Sequence, residues 1–234
     1  MRDRIRLVQL SLRTLAGKRW WLTYVFVTVW PLLQAGFLAI RWRQTAFEPE
    51  NVQNFLLGMP LWMLGIFLGA RIIGLEIDDR TLEIAYTVPG GAHRIWAAKF
   101  VAGVLLLVGA VVPLAIVTHF VLTPVPWQSI YGALQAGVFF LALAMGTGAL
   151  FRSFISGAVG AAVVLILSLV LTGFANVQVR LSPYFNPLHP NLRGADPVDI
   201  WAWSIQNRVG FVLVTATIVL LSWVRAERRE RLLD

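Results

Sequence analysis

Long apolar runs alternate with short polar segments along the chain, and the runs are long enough to cross a membrane. The hydrocarbon core of a bilayer is about 30 Å thick, so a helix needs about 20 apolar residues to span it. Six stretches approach or exceed that length, at about 20–40, 55–75, 100–122, 131–151, 154–177 and 204–224. The pattern therefore predicts an all-α integral membrane protein, with six transmembrane helices in a single transmembrane domain over residues 1–234.

The first 19 residues follow a different period. Apolar residues recur at spacings of three and four, while arginines occupy the other faces: Ile5, Val8, Leu12 and Leu15 against Arg2, Arg6 and Arg13. Such a segment is typical of an amphipathic helix lying in the membrane interface. We therefore expect residues 1–19 to form an N-terminal interfacial helix, with a disordered basic tail as the alternative.

The composition strengthens the membrane prediction. The chain is 58% hydrophobic, has a mean hydropathy of +0.71 and carries only 14% charged residues, whereas a soluble domain carries about 25%. It has no cysteine, which excludes disulfides, thiolate metal sites and cysteine nucleophiles.

The distribution of positive charge predicts the topology. Cytoplasmic segments of membrane proteins are enriched in Lys and Arg. If both termini are cytoplasmic, only five of the 20 basic residues fall outside: Arg41, Arg43, Arg180, Arg193 and Arg208. We therefore predict a multi-pass cell-membrane protein with both termini in the cytoplasm and an extracytoplasmic loop at 178–203. Arginines beside apolar runs also favour contact with membrane lipids over nucleic acid.

A polar insert, residues 76–99, interrupts the apolar pattern between the second and third predicted spans. Its charged side chains are Glu76, Asp78, Asp79, Arg80, Glu83, Arg94 and Lys99. Acidic residues at 78 and 79 suit the start of a helix, Pro89 and Gly90 suit its end, and "AHRIWAAKF" predicts a second helix. We expect a helix–break–helix element on the cytoplasmic surface, with a solvated loop of incidental charge as the alternative.

The chain carries no recognisable catalytic motif. An ATP-binding loop needs G-x-x-x-x-G-K-[ST], and neither of the two lysines, Lys18 and Lys99, lies in that pattern. The three histidines have no partner at metal-ligand spacing. We therefore expect no enzyme activity, no metal and no cofactor in this chain, and any ATPase would be a separate polypeptide.

The insert resembles the signature of ABC-2 type permeases, the membrane subunits of ATP-binding-cassette transporters. The resemblance lies in "LEIDDRTLEIAYTVPGGAHRIWAAKF". The family's acidic residue after the second span corresponds to Glu76. Its Thr-Leu-Glu triplet, its turn and its closing lysine correspond to Thr81, Leu82 and Glu83, to Pro89 with Gly90, and to Lys99. One departure is Arg80, where the family often has Gly.

The resemblance implies a function as the permease subunit of an ABC-2 type exporter. A cytoplasmic ATPase subunit, which would bind ATP and Mg, would dock on this insert, and a second identical or related permease would complete the pathway. The implied coupling residues are Glu76, Asp78, Asp79, Arg80, Thr81, Leu82, Glu83, Pro89, Gly90, Arg94 and Lys99. The spans lack strong charge, which favours an amphipathic or lipid-like cargo.

Two other classes of function remain as alternatives. A motor-independent membrane scaffold or assembly factor would need no nucleotide-driven partner. A small channel or secondary transporter would show internal repeats and ionisable residues at mid-membrane depth. Neither feature is visible here, which makes that second alternative the weaker one.

A few polar groups fall within the predicted spans. Gln34 and Gln135 lie at depths where an unpaired amide is costly, so we expect hydrogen bonds across helices, with a role in the transport pathway as the alternative. Arg71 is expected to extend toward the interface or to pair with Glu76.

Small residues recur every fourth position in three spans, at Gly65/Gly69, Ala144/Gly148 and Ser153/Gly157/Ala161. This spacing predicts close helix packing within one chain, with a subunit interface as the alternative.

Overall fold

A computed structural model describes residues 2–17, 21–42, 45–78, 92–175, 180–192 and 194–227. Its α-helices are α1 (Arg2–Ala16), α2 (Trp21–Ala39), α3 (Met59–Asp78), α4 (Ala92–Val121), α5 (Trp127–Phe151), α6 (Phe154–Ala175) and α7 (Pro197–Glu227). A π-helical turn, Val52–Gly58, leads directly into α3, and a short 3₁₀ turn covers Pro190–Leu192. The described residues contain no strand, so the predicted all-α fold is confirmed.

Six of these helices are long and apolar enough to cross a membrane, which confirms the predicted number of spans and the multi-pass character. Helices α4, α5 and α7 begin before the predicted spans do, at Ala92, Trp127 and Pro197 rather than near 100, 131 and 204. The reason is that a hydropathy pattern locates only the part of a helix that lies in the hydrocarbon core. The backbone hydrogen bonds of the same helix continue into the neighbouring polar residues, so the helix is longer than its apolar part.

Contacts between helix ends define two ends of the bundle. At the insert end, the last residue of α3 contacts the first residue of α6, and Arg225 near the end of α7 donates to the carbonyl of Leu150 near the end of α5. The far end holds the start of the π-helical turn, the loop 180–192 and the start of α7. Both α1 and the last turn of α7 lie at the insert end.

Helix α3 is the centre of the bundle. Within its candidate span, continuous with the π-helical turn, 78% of the residues are buried, against 17% for α2 and for α6. It packs on α4, α5 and α6, and its side chains Leu61, Leu68 and Ile72 are fully or almost fully buried. The other helices expose apolar faces, as expected for surfaces that meet lipid.

Glycines allow α3 to approach its neighbours closely. A Cβ atom added to Gly69 would collide with the backbone carbonyl of Leu141 in α5, and one added to Gly65 would collide with that of Gly137. Gly157 in α6 similarly lies against Gly148 in α5. These small residues therefore pack helices within this chain, which is the first of the two arrangements that the sequence left open.

The N-terminal segment is helical, as predicted, and much of its apolar face packs on protein. Leu15 is buried, and Val8 and Leu12 are partly buried against the main hydrophobic core, whereas Ile5 is exposed. Helix α1 lies against α4 and α3. Its location in a membrane interface stays a prediction.

Replacing Gly69 with alanine tests the close approach of α3 and α5. We expect Gly69→Ala to lower the free energy of unfolding by about 1–3 kcal/mol, because the new methyl group meets backbone that cannot rotate away. Gly36→Ala in α2 is the matched control, since nothing lies within 4 Å of its added Cβ. Denaturation in one detergent compares the two variants, and equal stability would contradict the packing described here.

Candidate functional site

The two helices that flank the polar insert are joined by a cluster of three side chains, Glu76, Trp96 and Lys99. The Lys99 ammonium lies 2.5 Å from Oε1 of Glu76, and the Trp96 indole N–H donates to Oε2 over 2.7 Å. Each carboxylate oxygen therefore receives its own donor. Lys99 also approaches the carbonyl of Ile72, at 3.4 Å.

This cluster is largely removed from solvent. The side chains of Lys99 and Glu76 are only 14% and 13% exposed, and Trp96 is fully buried. A carboxylate in such a place is strongly destabilising unless it is both paired and hydrogen-bonded, and removing one partner leaves an uncompensated charge. Glu76 and Lys99 therefore depend on each other, and their contact fixes the end of α3 to the first turns of α4.

Asp78 connects α3 to a third helix. Its Oδ2 accepts a hydrogen bond of 3.0 Å from the backbone N–H of Phe154, the first residue of α6. Ser153, the preceding residue, accepts from the N–H of Ile155. A carboxylate at a helix N-terminus satisfies a free N–H group and complements the helix dipole. Asp78 is thus the last described residue of α3 and caps α6, and the helix that it was expected to begin lies outside the described residues.

Of the other residues predicted for the insert, the structure describes only Arg94, which is exposed in the first turn of α4. The start of α4 at Ala92 confirms the second predicted helix. The remaining predicted coupling residues lie outside the described residues: Asp79, Arg80, Thr81, Leu82, Glu83, Pro89 and Gly90. Their roles and the helix–break part of the element stay predictions.

Arg71 does not pair with Glu76, contrary to the second of its two expected arrangements. Its guanidinium carbon lies 5.2 Å from the centre of the Phe67 ring, and its Nε is buried without a hydrogen-bond partner. The two side chains do not meet because Glu76 faces α4, where it forms its ion pair with Lys99. Arg71 instead lines a groove between α3 and the junction of α1 with α2.

Neutral amide groups hold the far end together. Gln53 and Asn54, in the π-helical turn, donate to the carbonyls of Phe185 and Tyr184 at 2.8 and 2.9 Å. In return, Asn186 donates to the carbonyl of Glu50 at 2.7 Å. The loop after α6 is thus fastened across the start of α3. The sequence analysis did not predict this contact. The only sign of it in the sequence is that amide residues occur both in the π-helical turn and in the loop.

Tyr184 packs the loop against the helices of the bundle. Its ring centre lies 4.6 Å from that of Trp62, and its hydroxyl donates to the carbonyl of Leu165 over 3.2 Å. Burial raises the pKa of the Tyr184 hydroxyl above its ordinary value, so the group stays protonated and remains a donor. Part of the predicted 178–203 loop is therefore packed among the helix ends.

Gln135 bonds across helices, as predicted. It donates from Nε2 to the carbonyl of Arg208 at 2.7 Å, and its Oε1 accepts from the Arg208 guanidinium at 3.1 Å. Arg208, assigned to the outside segment by its place in the sequence, lies within α7. Gln34 is buried in α2, but the described residues show no hydrogen bond of its side chain across helices, so that prediction is not confirmed. A role in a pathway stays a prediction for both amides.

The described residues contain no group of three or more His, Asp or Glu side chains arranged to hold a metal ion. Comparison of the chain with protein families, with curated proteins and with solved structures found no match. The resemblance to ABC-2 permeases therefore rests on residues 76–99 and on the number of spans.

A double-mutant cycle measures the contact between α3 and α4. Each of Glu76→Gln and Lys99→Met should destabilise the protein, because each leaves one buried group without its partner. The double variant should lose about 1–3 kcal/mol less than the sum of the single losses. Denaturation in detergent supplies all four stabilities, and additive losses would show that the two side chains do not interact.

Replacing Asn186 tests the attachment of the loop. Asn186→Ala removes the bond to Glu50 and leaves the N–H of Leu188 without its acceptor. We expect amide hydrogen exchange in 180–192 to accelerate by about tenfold or more, since each lost buried bond costs about 1–3 kcal/mol. Gln206→Ala, at an exposed position of α7, should leave the exchange unchanged. Unchanged exchange in Asn186→Ala would mean that the loop is held elsewhere.

Proposed function

We propose that this chain is the permease subunit of an ABC-2 type exporter, driven by a separate cytoplasmic ATPase that docks on residues 76–99. The observation that carries the proposal is the buried contact of Glu76 with Lys99 and Trp96. Glu76 and Lys99 are the two positions at which the resemblance places its first acidic residue and its closing lysine. They meet in space although 22 residues separate them in sequence.

A segment that transmits motion from a motor needs firm ends. The flanking helices α3 and α4 are joined at the base of the insert by an ion pair, and α3 is joined to α6 through Asp78. A push on the insert would therefore move three helices together, including the central one. Each nucleotide state of the motor would shift the balance between inward and outward access only by its differential affinity for the two conformations.

The insert end offers further groups to a soluble partner. Arg94 is exposed at the start of α4, and Arg6 and Arg13 are exposed on α1. Because α1 and the last turn of α7 lie at this end too, a motor docked there would meet both of these helices. That arrangement fits the proposed topology, with both termini cytoplasmic in the cell membrane.

The remaining parts of the proposal concern what this chain does not carry. ATP and Mg would be bound by the partner subunit, and a second permease, identical or related, would complete the pathway. The cargo would be amphipathic or lipid-like, since the walls exposed by the helices are apolar. A motor-independent scaffold is the alternative, and it needs no ATPase at all.

Reversing a charge in the insert tests the docking. We expect the wild-type chain, purified from the membranes of its own cell in mild detergent, to bring a stoichiometric soluble ATPase with it. Glu83→Lys should abolish co-purification and ATP hydrolysis, because a reversed charge opposes a complementary surface. Glu83 is preferable to Glu76, whose replacement would also break the contact with Lys99.

Asp199→Lys is the matched control, with the same change of charge at an exposed position in the first turn of α7, at the far end. It should retain the ATPase. If the wild-type chain is purified without any ATPase, the alternative function as a motor-independent scaffold is favoured. Retention of the motor by Glu83→Lys would refute Glu83 as a docking residue.

A further inference from the structure

A groove opens on the side of the bundle at the far end, where α5, α7 and the loop 180–192 meet. Its cavity volume is about 490 Å³, within the range of about 300–1,000 Å³ that is typical of ligand sites. The walls are mostly apolar and aromatic, with Trp127 from α5, Leu188 from the loop, and Trp201, Ile205 and Val209 from α7. Among the described residues that line it, Arg208 is the one that carries a charge.

The charge of Arg208 has no negative partner in the part of the chain that the structure describes. Its guanidinium donates to the neutral amide of Gln135, and its carbon lies 5.3 Å from the centre of the Tyr131 ring. No ion pair accompanies these contacts. A guanidinium inside a membrane-spanning helix is costly, and such groups usually pair with an opposite charge or face a polar cavity.

The surroundings of Arg208 hold it at this place. The Arg208 NH2 group and the side-chain carbonyl of Gln53 crowd the position that a Cβ on Gly132 would take, so only glycine leaves room for both. Gln135 fixes the other nitrogen. Contacts with Gln135 and Tyr131, both in α5, therefore hold the guanidinium, and a ligand would find it already in place.

The groove is open toward the surface that meets lipid. Ile205 and Val209 are about half exposed along α7, continuous with its apolar outer face. Trp127 and Trp201 are 71% and 66% exposed near the starts of α5 and α7, and tryptophans at helix ends mark the level of the headgroups. A molecule that fills this groove thus needs an anionic group beside Arg208 and an apolar tail that continues into the bilayer.

We propose that the groove binds an anionic phospholipid of the surrounding membrane, with the phosphate of its headgroup on Arg208. The acyl chains lie along Ile205 and Val209, and Trp127 and Trp201 flank the glycerol region. This site is independent of the proposed ATPase, because it lies at the opposite end of the bundle from the insert.

Native mass spectrometry of the purified chain, with phosphatidylglycerol and phosphatidylcholine of equal acyl length, tests the proposal. We expect the wild type to prefer the anionic lipid by on the order of tenfold, since a hydrogen bond to a charged group is stronger than one between neutral groups. Arg208→Gln, which keeps donors for Gln135, should lose this preference. Arg180→Gln, the matched control at the same end, should keep it, because Arg180 is exposed and stacks on Trp203 outside the groove.

Ile205→Trp supplies a second test that leaves Arg208 in place. The larger side chain fills the groove, so binding of both lipids should fall severalfold. This variant decides the question if Arg208→Gln does not fold. Inorganic phosphate at millimolar concentration should not displace the lipid, because it lacks the apolar tail.

Several outcomes would overturn the proposal. These are a wild type with no preference for the anionic lipid, an Arg208→Gln protein that binds like Arg180→Gln, and an Ile205→Trp protein with undiminished binding. Displacement of the lipid by inorganic phosphate alone would show an anion site rather than a lipid site.

Discussion

The buried ion pair between Glu76 and Lys99 is the contact on which the insert end depends. Two charges removed from water are tolerated only when both are fully engaged, and here each oxygen of Glu76 has a donor, one from Lys99 and one from Trp96. The pair joins the central helix α3 to α4 where the chain leaves the bundle and returns. The two helices that flank residues 79–91 are therefore joined to each other.

The two ends of the bundle are held by different chemistry. Charged side chains act at the insert end, where Glu76, Asp78 and Arg225 connect helix ends. At the far end, amide side chains donate to backbone carbonyls, as in the bonds of Gln53 and Asn186. Neutral amides satisfy the free carbonyls of the loop without bringing a charge into the bundle, which suits a loop packed among membrane-spanning helices.

Between the ends, close backbone contact replaces polar bonding. Gly65 and Gly69 let α3 lie directly on α5, and Gly157 brings α6 against the same helix. Hydrophobic burial does not favour helix association inside lipid, so association depends on such packing. The proposed functions lie at opposite ends of this closely packed centre, with motor docking at the insert and lipid binding beside Arg208.

The sequence by itself determined the helical fold, the six spans and the polar insert, because the length of an apolar run and its period depend only on local composition. It also predicted that Gln135 would bond across helices and that α4 would begin in the insert. Only the tertiary structure decided the partners: Asp78 caps α6, Arg71 lies apart from Glu76, and Arg208 bonds to Gln135. The π-helical turn at 52–58 was also not predicted from the sequence. These features depend on how each helix is rotated and which neighbour it meets, and a linear pattern of residues does not contain that information.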